Sequence, residues 1–317
     1  MNNYDVVTIG SAVLDIFMKS DKFKVVQSSD IPGGIAMCEV YGGKMEVEEV
    51  LIVSGGGATN TAVSFARKEL KTAIVAEMGN DPQSLLIHKD LEQDMVDTRL
   101  LVQEPSETTA VSVVLISADG GRSIMVHRGA SAMLTGHDIP LEDLETRWLH
   151  ISSLGGNMEL LKSILKWAKA KNVRVSFNPG LKEIKHKEKL ISLLSLVEIL
   201  FVNRDEAREL WGIDYSDDEL WKSPQSLPGA YVTVITDGSR GGKVSLNGKV
   251  SFFDAEKVKK VVDTTGAGDA FASGMVAGVL YGKTYEQSIE WGIKNATSVL
   301  AHVGAKKGLL KLSEIHK

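Results

Sequence analysis

The residues best suited to chemistry lie in one run near the end of the chain, residues 262–271 (VDTTGAGDAF). Gly266 and Gly268 let the backbone N–H groups of a loop and first helical turn, Ala267 included, converge on one point. The helix dipole adds partial positive charge there, which makes an anion hole. Asp269 follows within that turn, where its carboxylate can accept the proton of a hydroxyl group attacking the bound anion. These are the parts of phosphoryl transfer, although close helix packing with a capping aspartate would give the same pattern.

A second glycine run, residues 54–62 (SGGGATNTA), also opens a predicted helix. Gly56 and Gly57 let a hydroxylated ligand approach the main chain, and Asn60 offers a donor and an acceptor. This combination suits a sugar better than a phosphate. Asn60 stands where a dinucleotide fingerprint would need its third glycine, so that interpretation fails. Taken alone, the run is equally typical of a flexible loop entering a helix.

Strand and helix patterns alternate along most of the chain. The apolar run 6–9 ends at Gly10 and predicts a first buried strand. Similar runs lie at 72–78, 148–152, 173–177, 197–202 and 231–235. Helical stretches with apolar residues three or four apart separate them. The pattern therefore predicts an α/β fold with a mostly parallel sheet flanked by helices.

Two segments interrupt this alternation. Residues 109–127 contain two strand patterns around the turn at 118–121 (ADGG), which is typical of a hairpin. Residues 12–53 are also strand-like, with glycine pairs at 33–34 and 42–43 as turns. We interpret segments of about 12–53 and 107–129 as a small β-sheet lid, inserted into one domain spanning 1–317.

Composition excludes several classes of protein. The formal charge is −5, from 36 basic and 41 acidic residues, which is too acidic for a protein that coats nucleic acid. Cys38 is the single cysteine, so no intrachain disulfide forms and a reducing cytoplasm is expected. The seven histidines lack metal-binding spacing, and no apolar run approaches about 18 residues, so we expect no zinc site and no membrane span. Residues 278–284 (GVLYGKT) are one residue short of a P-loop and predict a helix end.

The two glycine runs, with residues 79–81 (GND), resemble those of the ribokinase-like, or PfkB-type, carbohydrate kinases, a family that includes adenosine and related nucleoside kinases. The resemblance covers nearly the whole chain. It implies a ribokinase-like fold with a small β lid, with Asp269 as catalytic base and the main chain of Gly266, Ala267 and Gly268 as the anion hole. ATP and Mg²⁺ are the implied cofactors.

The same resemblance assigns the acceptor side. Asp15 matches an aspartate that holds substrate hydroxyl groups, and an acceptor-only carboxylate suits a vicinal diol, although a surface turn also uses aspartate. Arg128, at the end of the lid hairpin, could meet a carboxylate or phosphate of the substrate, or could simply be exposed. Gly57 replaces a lysine common in ribokinases, and Gln83 and Ser84 replace a usual glycine. These departures favour the broader sugar and nucleoside kinase branches.

On the nucleotide side, Asn203 and Glu206 match an N-x-x-E element that organises Mg²⁺ and phosphates, with Glu206 acting on the metal through water. From the residues alone, the same pair predicts a helix capping box. Thr236 and Gly238 resemble a T-x-G turn that contacts nucleotide phosphates.

Four late residues complete the resemblance. Asn295 and Gly304 fall where the family encloses adenine, although late helical residues commonly serve packing. Asp263 and Thr265 match positions that bind a monovalent cation in many relatives, which makes activation by K⁺ an open expectation.

The sequence thus predicts an ATP-dependent kinase that phosphorylates a hydroxymethyl group of a sugar or sugar-like molecule. A nucleoside kinase is the close alternative, with Ile16, Phe17, Met37 and Tyr41 as candidates for a base-binding slot. A third possibility is a sugar-binding regulator without catalytic activity. Such a protein would be expected to lack Asp269 or the anion-hole glycines, and this chain has them. We expect a homodimer paired through the lid edges, and neither nucleic acid nor membrane as partner.

Overall fold

The computed structural model describes residues 3–31, 34–214, 218–223 and 229–316. Its strands in chain order are β1 (Asn3–Tyr4), β2 (Val6–Ile9), β3 (Val13–Lys19), β4 (Lys24–Gln27), β5 (Ile35–Cys38), β6 (Glu49–Gly55), β7 (Thr72–Val75), β8 (Glu77–Gly79), β9 (Val102–Glu104), β10 (Ala110–Ile116), β11 (Arg122–His127), β12 (Glu145–Thr146), β13 (Trp148–Ile151), β14 (Arg174–Phe177), β15 (Ile199–Asn203), β16 (Val232–Thr236), β17 (Gly242–Leu246) and β18 (Lys249–Phe253).

The α-helices are α1 (Gly57–Arg67), α2 (Pro82–Gln93), α3 (Met158–Ala170), α4 (Leu181–Ile184), α5 (Lys187–Leu193), α6 (Arg204–Trp211), α7 (Asp218–Lys222), α8 (Ala267–Leu280), α9 (Tyr285–Val299) and α10 (Leu312–Ile315). Single turns of 3-10 helix lie at Gly129–Ala132, Leu141–Asp143, Leu194–Leu196 and Gly238–Arg240. The segment resembling a P-loop runs from the end of α8 to the N-cap of α9, as the sequence predicts.

The main sheet has eight strands in the order β18-β17-β16-β15-β14-β13-β2-β7. The six strands from β16 to β7 are mutually parallel, and β17 and β18 continue the sheet as antiparallel strands. Their short apolar runs are buried along almost their whole length, because helices cover both faces. The predicted fold class, a mostly parallel sheet flanked by helices, is confirmed.

Alternating strand residues divide the core into two layers. Val7 and Leu149 face the layer beneath α3, α5 and α6, whereas Val6 and Trp148 face the layer beneath α1, α8 and α9. Helices α8 and α9 pack closely through glycine. A Cβ on Gly274 would lie 2.7 Å from the Trp291 carbonyl oxygen, so only a residue without a side chain fits.

A second sheet of four strands, in the order β11-β10-β3-β6, joins the two segments interpreted as a lid. Strand β3 follows β2 after only three residues, so the lid begins directly at the end of a core strand. The pair β4 and β5 forms a separate antiparallel hairpin. Residues 32 and 33, part of the first predicted lid segment and of its first glycine turn, lie outside the described residues.

Candidate active site

The site begins where two helices start side by side at the same edge of the main sheet. Helices α1 and α8 are joined along their length by a hydrogen bond of 2.7 Å between the hydroxyl groups of Ser273 and Ser64. Asn295 of α9 donates to Ser64 Oγ at 3.1 Å and to the Ala270 carbonyl at 2.7 Å. Both helix N-termini therefore point toward one region, and both helix dipoles favour negative charge there.

Asp269 lies in the first turn of α8 and is held by Asn60 of α1, whose Nδ2 donates to Asp269 Oδ2 at 2.8 Å. Since a carboxylate only accepts, the amide NH₂ of Asn60 must face it. Burial raises the pKa of Asp269 to about 6, while the bond from Asn60 acts in the opposite direction. Oδ1 has no hydrogen-bond partner in the described chain and is the atom free to take a proton.

The glycine loop 55–57 separates Asp269 from Asp15. A side chain at Gly55 would overlap the Asp15 carboxylate. A Cβ on Gly57 would lie 2.6 Å from Ser152 Cβ, which is a clash, and 3.8 Å from Asp269 Oδ1. Gly56 has φ 94° and would place a Cβ 2.5 Å from the Ser11 carbonyl oxygen. Glycine is therefore required along this loop, which brings two carboxylates to opposite sides of one short stretch of main chain.

Asp15 faces inward from lid strand β3, in register with Ser112 on β10. Burial raises the pKa of Asp15 to about 6, against a hydrogen bond with Ser112 and the charge of Lys306, which both lower it. Lys306 is itself buried and forms hydrogen bonds with Ser54 and with Asp90, the latter at 3.0 Å. This lysine places a positive charge near the acceptor side.

The start of α8 is open on the side of Gly268. Gly266 has φ 76°, a left-handed conformation that turns the chain into the helix. Apart from its chain neighbours and the backbone of its own helix, no described atom lies within 4 Å of the position that a Gly268 Cβ would take, and Gly268 is exposed. The Ala267 amide donates to the Thr264 carbonyl at 3.3 Å, whereas the amides of Gly266 and Gly268 have no partner among the described residues. Such unpaired amides at a helix N-terminus favour an anion.

The residues expected near the nucleotide lie at the ends of two adjacent parallel strands. Asn203 ends β15 and pairs in register with Thr236, which ends β16, and Gly238 follows with φ 55°. Asn203 and Glu206 form a capping box, with Asn203 Oδ1 accepting from the Glu206 amide and Glu206 Oε2 accepting from the Asn203 amide, both at 2.8 Å. Burial raises the pKa of Glu206. One oxygen of its carboxylate remains for a magnesium-bound water.

A magnesium ion at this edge would need ligands from its substrate. In the part of the chain that the structure describes, no group of three acidic, histidine or cysteine side chains could hold a metal ion. Mg²⁺ binds through one or two carboxylates together with phosphates and water, so a single free carboxylate such as that of Glu206 fits this mode.

Asn295 and Gly304 form contacts inside the protein, whereas Arg128 is exposed and its predicted substrate contact stays a prediction. Asn295 is fully buried and its amide is occupied by Ser64, Ala270 and the Leu310 amide, so its role is helix packing rather than contact with adenine. Gly304 is also buried, donates to Asp263 Oδ2 at 2.9 Å and lies beneath the lid. Arg128 is exposed, and its guanidinium forms no ion pair with any residue in the described ranges.

The four residues considered for a base-binding slot do not share one face of the lid. Ile16 points to the face of the lid opposite Asp15, because strand side chains alternate. Phe17 shares the face of Asp15 but is only 3% exposed, and Tyr41 stands fully in solvent. Met37 belongs to the separate β4–β5 hairpin. Instead, Val126 lies in the same cross-strand row as Asp15, with Ile124 in the row of Phe17.

The residues expected to bind a monovalent cation are occupied by a side chain. Arg122 Nη1 donates to Asp263 Oδ1 at 2.8 Å and to Thr265 Oγ1 at 3.0 Å. A cation at these side-chain oxygens would therefore compete with a guanidinium group.

Glu183 is a further residue that sequence reasoning missed. It is completely buried and accepts from the amides of Leu154 at 2.9 Å, Gly156 at 2.6 Å and Gly180 at 2.8 Å. It fixes the loops that follow β13 and β14 at the same edge of the sheet as the site. Its only sequence signal is a glutamate three residues after Gly180, the spacing of a capping box.

Comparison with known proteins agrees with this arrangement. The sequence model of the pfkB family carbohydrate kinases matches residues 4–311. Cytidine kinase from Thermococcus kodakarensis is 32% identical over 260 residues, covering 79% of this chain and 88% of the relative. Ribokinase from Arabidopsis thaliana, solved with ribose and ATP, superposes with a TM-score of 0.77 at 20% identity, covering 99% of this chain and 98% of that one. For adenosine kinase from Sinorhizobium meliloti the TM-score is 0.78 at 21% identity, with 98% of each chain covered.

The match over residues 4–311 places the chain in the pfkB family. It is a carbohydrate kinase with a ribokinase-like fold, and the predicted family, fold class and enzyme class are confirmed. Within the described ranges, no helix combines the length and apolar character needed to cross a membrane.

Proposed function

We propose that the enzyme transfers the γ-phosphoryl group of ATP to a hydroxymethyl group of a sugar or sugar-like molecule, with Asp269 as general base. The observation that carries this proposal is the placement of the half-buried Asp269 carboxylate in the first turn of α8, beside the main chain of Gly266, Ala267 and Gly268. A base and an anion hole within one helical turn suit a hydroxyl group attacking a phosphoryl group in line.

In the proposed reaction, Asp15 and Asn60 orient the acceptor, with the Gly56–Gly57 main chain beneath it. Asp269 Oδ1 takes the proton of the attacking hydroxyl group as its oxygen bonds to the γ-phosphorus and the bond to the β-phosphate oxygen breaks. The amide groups at the start of α8 stabilise the negative charge on the migrating group. The raised pKa of Asp269 places it near the range in which a carboxylate is an effective base.

The nucleotide is proposed to lie along the ends of β15 and β16, where Asn203, Glu206, Thr236 and Gly238 are found. Mg²⁺ bound to the phosphates would neutralise their charge, with a water held by Glu206. Potassium stays an open proposal at Asp263 and Thr265, because it would have to displace or accompany Arg122.

A nucleoside is the second candidate acceptor. It is favoured by the 32% identity to a cytidine kinase and by two exposed apolar side chains, Ile124 and Val126, on the lid face that carries Asp15. Val126 is two strands away from Asp15, about 10 Å at the usual strand spacing. That distance suits a base extending from a ribose whose hydroxyl groups meet Asp15.

The test is ADP release from ATP with Mg²⁺ across pentoses, hexoses, keto-deoxy acids and nucleosides. Asp269→Asn gives the background, and Asp143→Asn, an exposed aspartate in a 3-10 turn, is the matched control. Turnover with a free sugar supports the first candidate, and preferred turnover with a nucleoside supports the second. Binding of these compounds without ADP release above the Asp269→Asn background would instead identify a sugar-binding regulator.

We also propose a cytoplasmic homodimer that pairs through the lid. The single cysteine, Cys38, suits a reducing compartment. Val50, Ile52 and Met125 are each more than half exposed on the lid face opposite Asp15, which supports an apolar contact with a second copy. A monomeric mass by light scattering at micromolar concentration would contradict the dimer, and Ile52→Asp should convert a dimer to monomers.

A further inference from the structure

Arg122 joins the lid to the loop that leads into the anion hole. It is the first residue of β11, just after the hairpin turn, and its contacts lie more than 140 positions along the chain. Its Nη2 donates to Thr264 Oγ1 at 2.6 Å. Its Nη1 donates to Asp263 Oδ1 at 2.8 Å and to Thr265 Oγ1 at 3.0 Å. One guanidinium group therefore contacts three consecutive residues.

These three residues are themselves a compact hydrogen-bonded turn. Asp263 Oδ1 accepts from the Thr265 amide at 2.9 Å and from the Thr265 hydroxyl at 2.7 Å. Asp263 Oδ2 accepts from the Gly304 amide at 2.9 Å. Gly266 follows directly, in a left-handed conformation with no room for a side chain against Ala305. The position of the turn thus sets where the amide groups of Gly266, Ala267 and Gly268 point.

Arg122 supplies the positive charge of this turn. The Asp263 side chain is only 7% exposed, and a buried carboxylate is costly without a charged partner. Among the ion pairs of the described residues, Arg122 is the cation on Asp263, and it comes from the lid. The contact therefore forms fully only when the hairpin β10–β11 lies against the core.

We propose that Arg122 is a positioning residue that sets the anion hole when the lid is closed. The inference rests on the proposed kinase function, because it assigns the start of α8 to the migrating phosphoryl group. With Arg122 in place, the turn 263–265 is held and the amide groups of the hole point to one position. Without it, Asp263 keeps an unpaired charge and the turn loosens, so phosphoryl transfer slows more than acceptor binding weakens.

The test compares Arg122→Ala and Arg122→Lys with Lys19→Ala. Lys19 is a matched control because it lies in the same cross-strand row of the lid, yet pairs with Glu49 of the lid itself at 3.1 Å. We expect Arg122→Ala to lower kcat by about 10- to 100-fold, less than the loss of a direct oxyanion donor, with smaller changes in KM. Arg122→Lys should recover part of kcat, and millimolar guanidinium should rescue Arg122→Ala but not Lys19→Ala.

A second measurement does not depend on turnover. Hydrogen exchange of residues 262–268 should be faster in Arg122→Ala than in wild type, and unchanged in Lys19→Ala. If no acceptor supports ADP release, the kinase proposal fails, while the exchange result still decides whether Arg122 holds the turn. Equal kcat and equal exchange in Arg122→Ala and Lys19→Ala would overturn the inference.

Discussion

The bond between Asn60 and Asp269 gives a quantitative prediction for the pH dependence of turnover. As the proposed general base, Asp269 must be ionised to accept a proton, so we expect activity to fall as pH drops through its pKa, which is about 6. Asn60 Nδ2 stabilises the ionised form through a bond of 2.8 Å. A hydrogen bond to a charged group is worth about 1.5–3 kcal/mol, and each pKa unit corresponds to about 1.4 kcal/mol. Asn60→Ala should therefore raise the acidic midpoint by about one to two units, to between about 7 and 8.

The assay is ADP release from pH 5 to pH 9, read as kcat at saturating acceptor. This choice matters because burial raises the pKa of Asp15 to about 6 as well. In the proposed complex, hydroxyl groups of the acceptor would occupy Asp15 when the enzyme is saturated. Asn157→Ala is the matched control, since Asn157 caps α3 through a bond to the Leu160 amide at 3.1 Å and takes no part in the proposed site. Its midpoint should equal that of wild type.

The reasoning would be refuted if Asn60→Ala lowered kcat equally at every pH and left the acidic midpoint near 6. Asn60 would then act on the acceptor alone, and a group other than Asp269 would control the titration.

Three further outcomes follow from the same geometry. Because the folded-state pKa of Asp269 is raised from 3.8 to about 6, wild type loses stability as pH rises through that range. At pH 8 the free energy of unfolding of Asp269→Asn should thus exceed that of wild type by up to about 3 kcal/mol, measured by urea denaturation. Below pH 4 the two proteins should be equally stable. Gly56→Ala should lower the thermal stability more than Gly282→Ala. Both glycines have positive φ, but only at Gly56 would a Cβ meet backbone, 2.5 Å from the Ser11 carbonyl oxygen. Equal decreases in Tm would contradict this close approach. Asn203→Ala removes the cap of α6 and should lower the free energy of unfolding by about 1 kcal/mol. If Asn203 also acts at the metal, this variant should need a higher Mg²⁺ concentration for ADP release, which capping alone would not cause.

The sequence predicted the parallel core well because each strand carries its own local signal, a short buried apolar run followed by a helix. It missed the hairpin of β17 and β18, although the signal was present. Asn247 and Gly248 both have positive φ, 46° and 83°, the geometry of a type I′ turn that Asn-Gly favours. The predicted strand 72–78 is split at Ala76, because β8 leaves the main sheet and pairs with β9.

The candidate site was predictable where one motif contains both partners, as in the turn from Gly266 to Asp269. It was not predictable where the partners are distant in sequence. Arg122 and Lys306 are ordinary basic residues in the sequence, and only the fold brings them to Asp263 and to Ser54. Asn295 shows the opposite case. Its position in the sequence predicted a contact with the nucleotide, but in the structure its side-chain amide bonds to Ser64 and to the Leu310 amide.

The short connection from β2 to β3 bears on how the enzyme would discriminate between its acceptor and water. Asp15 belongs to the lid and Asp269 to the core, so the two carboxylates are carried by separate parts of the fold. The proposed acceptor would contact both carboxylates, whereas a water molecule that replaced its hydroxyl group at Asp269 would leave Asp15 without a partner. If the proposed function is right, hydrolysis of ATP without an acceptor should therefore be slow, and it should rise less than transfer to the acceptor when both are measured in the same assay.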